Sequence, residues 1–535
     1  MAAGLVAAVL VAIVELTGRR GVDLSAAVYR VDQFRRSGWQ LWEFAWYGGH
    51  WTLGYSVLYP ALGASLGVAL LAVLSAAAAA VAFDRLVRPR LGPGGSAASL
   101  VFAVGTVVSA SIGQMPFLTG EAFGLWSVWA MARRRPLIAV ALALFSTLVS
   151  PLTGAFTALA AVAVVVSTPA GRTFRSRLTT RLAATGAGVV AVALVPVGLT
   201  TLLFPGQGPM PYPFVDYAWE VVVAAVIAAL AGRDLPAVRA GALLVIAAAT
   251  FAEAVPSALG GNVGRIEDMV ALPLAVGLAW NRARLLLPVV AVPLALSQWV
   301  PAWGALTYIP AAPSAARAFY TPLDRVLARY STGAPAGRVE VVPTAYHWEA
   351  AYVAPTMALA RGWERQLDEA DNPLFYQGPL SAARYHAWLL DNGVRFVALP
   401  SAPLDMAAGS EAVLVASGRV PGLHLVWHSA DWRLYSVAAS PGIVSGPGRL
   451  IRAADGRVVI QASGRGRILL RIRYSPDWTI SAGAGCVTRA DGSWTGLEVP
   501  GPERVDLELN LFGRNGPRCS QAPAAAGRPA EKATG

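Results

Sequence analysis

The sequence predicts a polytopic α-helical membrane protein that ends in a C-terminal region of soluble character. Hydrophobic residues make up 55% of the chain and charged residues only 14%, whereas soluble domains carry about 25% charged residues. Apolar runs recur to about residue 302, and a helix needs roughly 17–25 such residues to span a bilayer. Short arginine clusters separate the runs, and Lys532 is the only lysine. This pattern is typical of membrane topology signals, so we expect no nucleic-acid partner.

About eleven transmembrane helices are predicted within a domain of residues 1–302. Some of the runs are short, and 137–168 could be one broken segment or two helices. The predicted spans are 1–17, 61–83, 97–113, 117–132, 137–150, 152–168, 182–204, 217–232, 237–255, 268–281 and 285–302.

The arginines predict the orientation of these spans. If the N-terminus is cytoplasmic and there are eleven spans, all five arginine clusters fall on the cytoplasmic face, as the positive-inside rule requires. We therefore predict a multi-pass protein of the cell membrane, with an outer loop at 18–60 and an extracytoplasmic C-terminal region. The clusters are Arg85, Arg88 and Arg90; Arg133–Arg135; Arg172, Arg175, Arg177 and Arg181; Arg233 with Arg239; and Arg282 with Arg284.

The C-terminal region divides into three predicted parts. Residues 303–442 alternate amphipathic helices (317–330 and 379–392) with apolar strands and predict an α/β domain. Residues 443–519 contain short strands broken by Gly and Pro, as in a β-sandwich, and 520–535 is an Ala/Pro-rich tail predicted to be disordered. The predicted strands are Val339–Val342, Val394–Leu399, Leu423–His428, Trp432–Val437, Val458–Ala462, Ile468–Tyr474, Leu497–Val499 and Val505–Leu511.

Both cysteines, Cys486 and Cys519, fall in this C-terminal region. An extracytoplasmic compartment permits a disulfide between them, but the sequence does not show that they are close. Zinc-type spacings such as CxxC and HExxH are missing from the sequence, which disfavours a structural zinc site.

The outer loop carries the first candidate for chemistry. Its residues 24–36 have apolar side chains at helical spacing, which predicts an amphipathic helix along the membrane surface. Asp23, at the start of this helix, is a candidate general base that would deprotonate an acceptor hydroxyl. The alternative is that Asp23 only caps the helix N-terminus. Asp32 is better explained by an ion pair with Arg35 or Arg36 on the same helix.

The rest of the loop is rich in aromatic residues and adds three candidates. Glu43 lies among tryptophans, where desolvation could raise the carboxyl pKa, and is a second candidate acid or base. His50 could bind a phosphate or a metal, although a lone histidine is more often simply hydrogen-bonded. Tyr55 is a further candidate for substrate binding. We interpret the tryptophans as an interfacial belt, with sugar stacking as the alternative; they are Trp39, Trp42, Trp46 and Trp51.

Two further candidates lie at the outer ends of later spans. Glu121 is costly in a membrane unless it faces a polar cavity, so substrate binding and helix capping stay equal alternatives. Arg265 lies on the face opposite the arginine clusters, next to Asn262 in a flexible GGNVG segment. The guanidinium suits a phosphate, and the alternative is a salt bridge to Glu267 or Asp268.

The motif search excludes several enzyme classes. The sequence contains no GxSxG, P-loop or dinucleotide fingerprint, so nothing in it indicates a serine hydrolase or an ATPase. Two segments could border a membrane cleft or form an ordinary domain surface: PTAYHWEAAYVAP (343–355) and LARGWERQLDEADNP (359–373).

The predicted order of elements resembles the GT-C membrane glycosyltransferase superfamily. This order is one helix, an outer loop with an early Asp, many further spans and an extracytoplasmic C-terminal domain. Within this superfamily, the chain resembles bacterial membrane proteins labelled "6-pyruvoyl-tetrahydropterin synthase-related". Asp23 matches the loop acid of that group, whereas Ala27 stands where a histidine is common and Leu24 where many members have a second acid. The other matching motifs are GYSVLYP (54–60), NGVRFVALP (392–400), WRLYSV (432–437) and IRYSPDW (472–478).

The resemblance implies transfer of a sugar, with inversion, from a polyprenyl-phosphate donor to an envelope glycan or glycolipid acceptor. Asp23 would activate the acceptor and Arg265 would hold the donor phosphate, while the missing second acid leaves open whether a divalent metal takes part. The alternative is a non-enzymatic membrane protein, such as a carrier of lipid-linked glycans or an assembly partner. Few charges lie in mid-span and no inverted repeat is evident, which disfavours transport.

Overall fold

A computed structural model describes residues 1–18, 21–168, 181–205, 208–307, 312–332, 335–454, 456–490, 492–511 and 519. The predicted tail at 520–535 lies outside these residues.

In the described residues up to 307, the first part of the chain consists of thirteen α-helices. They are α1 Ala2–Leu16, α2 Leu24–Ser37, α3 Tyr59–Leu66, α4 Val68–Leu91, α5 Pro93–Ile112, α6 Met115–Ala132, α7 Pro136–Val149, α8 Pro151–Ser167, α9 Arg181–Leu203, α10 Phe214–Ala231, α11 Pro236–Ala254, α12 Arg265–Arg282 and α13 Leu287–Thr307.

The predicted apolar spans coincide with helices, but 61–83 is divided at Gly67 between α3 and α4, and 137–168 forms two helices rather than one. Proline stands in the first turn of several, where its missing N–H costs nothing. In the part of the chain that the structure describes, six helices are long and apolar enough to cross a membrane by length and composition. The protein is thus a multi-pass membrane protein, and the count of eleven spans and the cytoplasmic N-terminus stay predictions. The six helices are α4, α5, α9, α10, α11 and Arg284–Thr307.

Helix α2 confirms the predicted amphipathic helix, but it does not lie on an open membrane surface. Its buried residues lie between Leu24 and Gln33, and its last turn is exposed. Helix α2 packs against a short helix at Glu349–Tyr352. The C-terminal region therefore covers it.

The interpretation of the loop tryptophans as an interfacial belt is wrong for three of the four. Trp42, Trp46 and Trp51 are buried, whereas Trp39 is 60% exposed. Trp42 packs edge-on against Trp478 with ring centroids 5.6 Å apart. These side chains are buried because the C-terminal region folds back over the loop.

The outer loop forms a two-stranded antiparallel sheet of β1 Trp42–Glu43 and β2 His50–Trp51. The α/β part of the C-terminal region has a four-stranded mixed sheet, in the order β3-β4-β6-β5. Strand β4 pairs in parallel with β3 and antiparallel with β6, and its apolar run is buried, as predicted. The elements are α14 Arg317–Ser331, β3 Arg338–Val341, α15 Glu349–Tyr352, α16 Arg365–Asp371, α17 Ala382–Asp391, β4 Val394–Pro400, α18 Gly409–Ala416, β5 Leu423–His428 and β6 Trp432–Val437.

Two four-stranded antiparallel sheets follow, in the orders β12-β13-β10-β7 and β11-β14-β9-β8. Side chains of both, including Ile460 and Leu470, share one buried cluster, which is the core of a sandwich. Sequence periodicity did not predict β8, β11 and β12, whose alternation is weak. The boundaries at 303, 443 and 519 stay predictions. The strands are β7 Val444–Ser445, β8 Gly448–Ala454, β9 Arg457–Ala462, β10 Gly466–Arg473, β11 Trp478–Ala482, β12 Cys486–Arg489, β13 Trp494–Val499 and β14 Arg504–Leu509.

Cys486 and Cys519 form a disulfide, with Cα atoms 5.0 Å apart. Glu498 lies beside them, and these three residues form the one group of close potential metal ligands found in the described part of the chain. Because the two sulfurs are bonded to each other, they are not available as thiolate ligands.

Candidate active site between the helix bundle and the C-terminal region

A cavity of about 510 Å³ lies where the helix bundle meets the C-terminal region. Helices α6, α8, α9 and α12, the outer loop and the start of α16 each contribute to its wall. Four of the predicted site residues line it: Asp23, Tyr55, Asn262 and Arg265. They come from two segments more than two hundred residues apart in the chain.

Backbone contacts on two sides hold Asp23 at this cavity. Its N–H donates to the Ile112 carbonyl at 3.0 Å, and the indole N–H of Trp363 donates to the Val22 carbonyl at 2.8 Å. Helix α5 ends at Gly113, which has φ 94°, and a Cβ there would collide with the backbone of Leu24. The end of α5 and the C-terminal region thus fix the start of α2.

Asp23 occupies the N-cap position of α2, but its side chain accepts no capping hydrogen bond. A capping Asp would accept from the backbone N–H two or three residues on. Helix capping therefore does not use the carboxylate, which lines the cavity instead.

Arg265 begins α12, and its guanidinium carbon lies 5.8 Å from the ring centroid of Phe117. Among the described residues, Arg265 forms no salt bridge with Glu267 or Asp268. Asn262 precedes it in a 3₁₀ turn and donates to the Ala258 carbonyl at 3.1 Å. Arg265 thus lines the cavity without a close ion pair to an acid of its own helix, although its charge acts on Asp268 from a longer distance.

Tyr55 is surrounded by the charges of this site. Burial raises the pKa of Tyr55, and the nearby carboxylates of Asp23 and Glu364 raise it further. The phenol therefore stays protonated and can donate a hydrogen bond to a ligand in the cavity.

Three predicted site residues do not line this cavity: Glu43, His50 and Glu121. Glu43 is buried, accepts a hydrogen bond from Gln33 and accepts another from the Ala45 N–H at 2.7 Å. Glu121 is buried within α6. Their proposed roles in catalysis or binding stay predictions.

His50 belongs to a buried network that reaches the cavity through another residue. One guanidinium nitrogen of Arg30 lies 2.7 Å from His50 Nε2 and 2.5 Å from a Glu364 oxygen. Since a guanidinium can only donate, His50 Nε2 accepts, and burial together with the charge of Arg30 lowers the pKa of His50. His50 is thus a neutral acceptor that helps to hold Arg30, and a neutral imidazole supplies no charge to a phosphate.

Glu364 and Arg365, both at the cavity, are residues whose role the sequence left undecided. Burial raises the pKa of Glu364, although its ion pair with Arg30 opposes this. Arg365 forms two hydrogen bonds to Asp405, at 3.1 and 2.6 Å. The sequence contains one local indication of a site here, a Trp-Glu-Arg run in a segment of soluble character. Such a run does not indicate that these residues contact the membrane helices.

His347 lies within the C-terminal region, behind the part of the cavity wall that Trp363 and Arg365 form. Its ring stacks on Trp363 with centroids 3.6 Å apart, its Nε2 lies 3.1 Å from Asp405, and its Nδ1 lies 3.4 Å from Glu349. Burial disfavours the charged ring, but the hydrogen bonds and charges of Asp405 and Glu349 outweigh this and raise the pKa of His347. Burial would raise the pKa of Asp405, but hydrogen bonds and charges from His347 and Arg365 outweigh this and hold it well below its usual range.

We expect this raised pKa to make stability depend on pH. A histidine whose pKa is higher in the folded state contributes stability that is complete below its ordinary pKa of about 6.5 and is lost as the pH rises through the folded value. The thermal unfolding midpoint of the wild type should therefore fall as the pH rises above about 6.5. His347→Asn should flatten this dependence, since Asn tolerates the positive φ of 53° at this position. If the unfolding midpoint of the variant depends on pH as steeply as that of the wild type, groups other than His347 cause the dependence.

The charges of the cavity suit an anion better than a divalent cation. Of its two carboxylates, Glu364 is already paired with Arg30. Arg265 brings a positive charge to the cavity, whereas the charge of Arg365 is balanced by Asp405. A divalent cation requires several free oxygen ligands, and this donor set does not fit one.

No protein-family model matches the chain, and no curated protein matches it. Among solved structures, the chain is similar to the crystal structure of ArnT from Cupriavidus metallidurans in the apo state. The sequence identity is 13%, the match covers 81% of this chain and 98% of that chain, and the TM-score is 0.41. At this score the likeness does not establish a shared fold, and the resemblance to the GT-C superfamily stays a prediction.

Proposed function

We propose that the protein is a membrane glycosyltransferase that moves a sugar from a polyprenyl-phosphate donor to an extracytoplasmic envelope acceptor. One observation carries this proposal: the Asp23 carboxylate, which caps no helix, lines the same cavity as the Arg265 guanidinium. A base and an anion-binding group on one cavity are what displacement of a phosphate from a sugar requires.

The proposed step is a single displacement at the anomeric carbon. The acceptor oxygen forms a bond to this carbon while Asp23 takes its proton, and the bond from carbon to the phosphate oxygen breaks on the opposite side. The polyprenyl phosphate leaves with the electron pair, and Arg265 stabilises the negative charge that develops on it. Attack opposite to the leaving group inverts the anomeric configuration.

The walls of the cavity support an amphiphilic donor. Its polar residues lie beside apolar side chains from the ends of two membrane helices, including Leu152 and Ala155 of α8 and Val197 of α9. A lipid phosphate can keep its head at Arg265 and its first isoprene units against these side chains.

Removal of the gene tests this function against the non-enzymatic alternative. If the protein is a glycosyltransferase, we expect one sugar to disappear from an envelope glycan and the corresponding polyprenyl-phosphate sugar to accumulate. An unchanged envelope, or a missing sugar without accumulation of the donor lipid, would contradict it. A carrier or assembly partner would bind the lipid in vitro without consuming it.

Arg265→Gln is expected to weaken binding of polyprenyl phosphate about 10- to 100-fold, because a hydrogen bond to a charged group contributes about 1.5–3 kcal/mol. The affinity of Arg265→Lys for polyprenyl phosphate should lie between those of the wild type and Arg265→Gln, since lysine keeps the charge but not the planar fork of donors. Binding can be measured with bare polyprenyl phosphate in micelles through the fluorescence of Trp363, which lines the cavity.

The matched control is Arg384→Gln, which removes an exposed arginine of α17. Its affinity should equal that of the wild type. If both glutamine variants lose affinity equally, the effect is one of net charge and Arg265 is not the phosphate ligand.

A further inference from the structure

A second cavity, of about 760 Å³, lies inside the helix bundle. It extends from Arg90 and Arg134 at one end to Glu267, two residues after Arg265 of the first cavity, at the other. Helices α4, α6, α8, α10, α11 and α12 form its walls, which are mostly apolar, as at Leu125, Leu159 and Leu274. We call it the inner lipid pocket.

The depth of the inner lipid pocket corresponds to one leaflet of a bilayer. Along α12 its lining extends from Glu267 to Leu278, which is about 16 Å at a rise of about 1.5 Å per residue. The hydrocarbon core of a bilayer is about 30 Å thick, so half of it is about 15 Å. An acyl chain of one leaflet therefore fits the long dimension of this pocket.

The mouth of the pocket is positively charged. Arg90 and Arg134 line it, and both are exposed. Asp234 also lies there, but its carboxylate pairs with Arg282 at 2.8 Å. Arg90 donates one hydrogen bond to the Leu86 carbonyl, at 2.6 Å, and has further N–H groups to donate. The one other acid of the lining, Glu267, lies at the opposite end of the pocket.

We propose that the inner lipid pocket binds one anionic glycerophospholipid of the cytoplasmic leaflet, with its phosphate between Arg90 and Arg134 and an acyl chain along α12. Basic pockets between membrane helices on the cytoplasmic side are suited to acidic headgroups, and guanidinium groups match phosphate oxygens. The apolar wall excludes a free inorganic anion as the complete ligand, since it would leave the rest of the pocket unfilled. This site is independent of sugar transfer, so either proposal can fail alone.

Lipid titration of the purified, delipidated full chain tests this proposal. We expect phosphatidylglycerol in mixed micelles to raise the thermal unfolding midpoint, and phosphatidylcholine to raise it much less. In the double variant with Arg90→Gln and Arg134→Gln, the apparent affinity for phosphatidylglycerol should fall at least tenfold. Arg133→Gln is the control, because Arg133 stacks over Trp129 at 5.5 Å and does not line the pocket.

A second pair of variants tests the acyl chain. Ala160→Phe should fill the pocket and abolish the response to phosphatidylglycerol, whereas Ala191→Phe, on the exposed face of α9, should leave the response unchanged. The unfolding midpoint without lipid shows whether each variant is folded. If the double arginine variant is not folded, the single variants Arg90→Gln and Arg134→Gln are used in its place.

Three results would overturn the proposal. These are equal responses to the two lipids, an unchanged response in both the arginine variants and Ala160→Phe, or the same stabilisation by inorganic phosphate alone. The first would indicate a non-specific hydrophobic effect, and the last a free-anion site.

Discussion

Replacing Asp23 with Asn is expected to lower sugar transfer about 10²- to 10⁴-fold, the usual contribution of a general base. The change keeps the shape of the side chain but removes its ability to accept a proton. Because the carboxylate makes no capping bond, α2 should remain intact and polyprenyl phosphate should still bind. The measurement compares the envelope glycans of a strain that makes the Asp23→Asn protein at normal level with those of the wild type.

The matched control is Asp32→Asn, nine residues further along the same loop and helix. Asp32 is exposed and pairs with Arg35 at 3.0 Å, as the sequence predicted, and such a pair contributes little to stability. A strain with this variant should have normal glycans. Normal glycans in the Asp23→Asn strain would remove Asp23 as the base.

Arg361→Met is expected to destabilise the protein more than any other single change considered, by about 3–5 kcal/mol. Arg361 is 3% exposed and lies among three acids. It donates to Glu340 at 2.8 Å and to Glu411, and lies 3.7 Å from Asp368. Without the guanidinium, the α/β sheet would enclose these acids with no balancing charge. The thermal unfolding midpoint in detergent measures the loss, and Arg384→Met on the surface of α17 is the control.

Lower pH should partly rescue Arg361→Met. Burial raises the pKa of Glu340, with a contribution from Glu411, while Arg361 opposes both. Without Arg361 the folded protein binds protons more tightly than the unfolded chain, whose glutamates have ordinary pKa values near 4.5. Stability then falls as the pH rises above this value, so the deficit should shrink between pH 8 and pH 5.5. A deficit that does not depend on pH would mean that lost packing, rather than unpaired charge, causes it.

Residues near each other in the chain were predicted well. The apolar runs coincide with helices, and the periodicity of residues 24–36 predicted α2, because hydropathy and periodicity are local properties that a bilayer or a packed face selects directly. Arg265 and Asp23 were assigned to the same membrane face from arginine counts alone, and they line one cavity.

Contacts between distant segments could not be predicted. Three loop tryptophans with the composition of a lipid belt are buried under the C-terminal region, since the same apolar ring is stabilised equally by lipid or by protein. The sequence likewise did not predict that Arg30, twenty residues earlier in the chain, donates to His50.

The sequence by itself determined that this is a multi-pass membrane protein and pointed to Asp23 and Arg265. It could do so because transfer to the bilayer and the positive-inside bias act on short segments. Only the tertiary structure decided that Asp23 is not used as a helix cap, that Glu364 and Arg365 complete the cavity, and that His347 supports Trp363. The cavity brings Asp23 together with Glu364 and Arg365 across more than three hundred residues, and local patterns carry no information about such pairs.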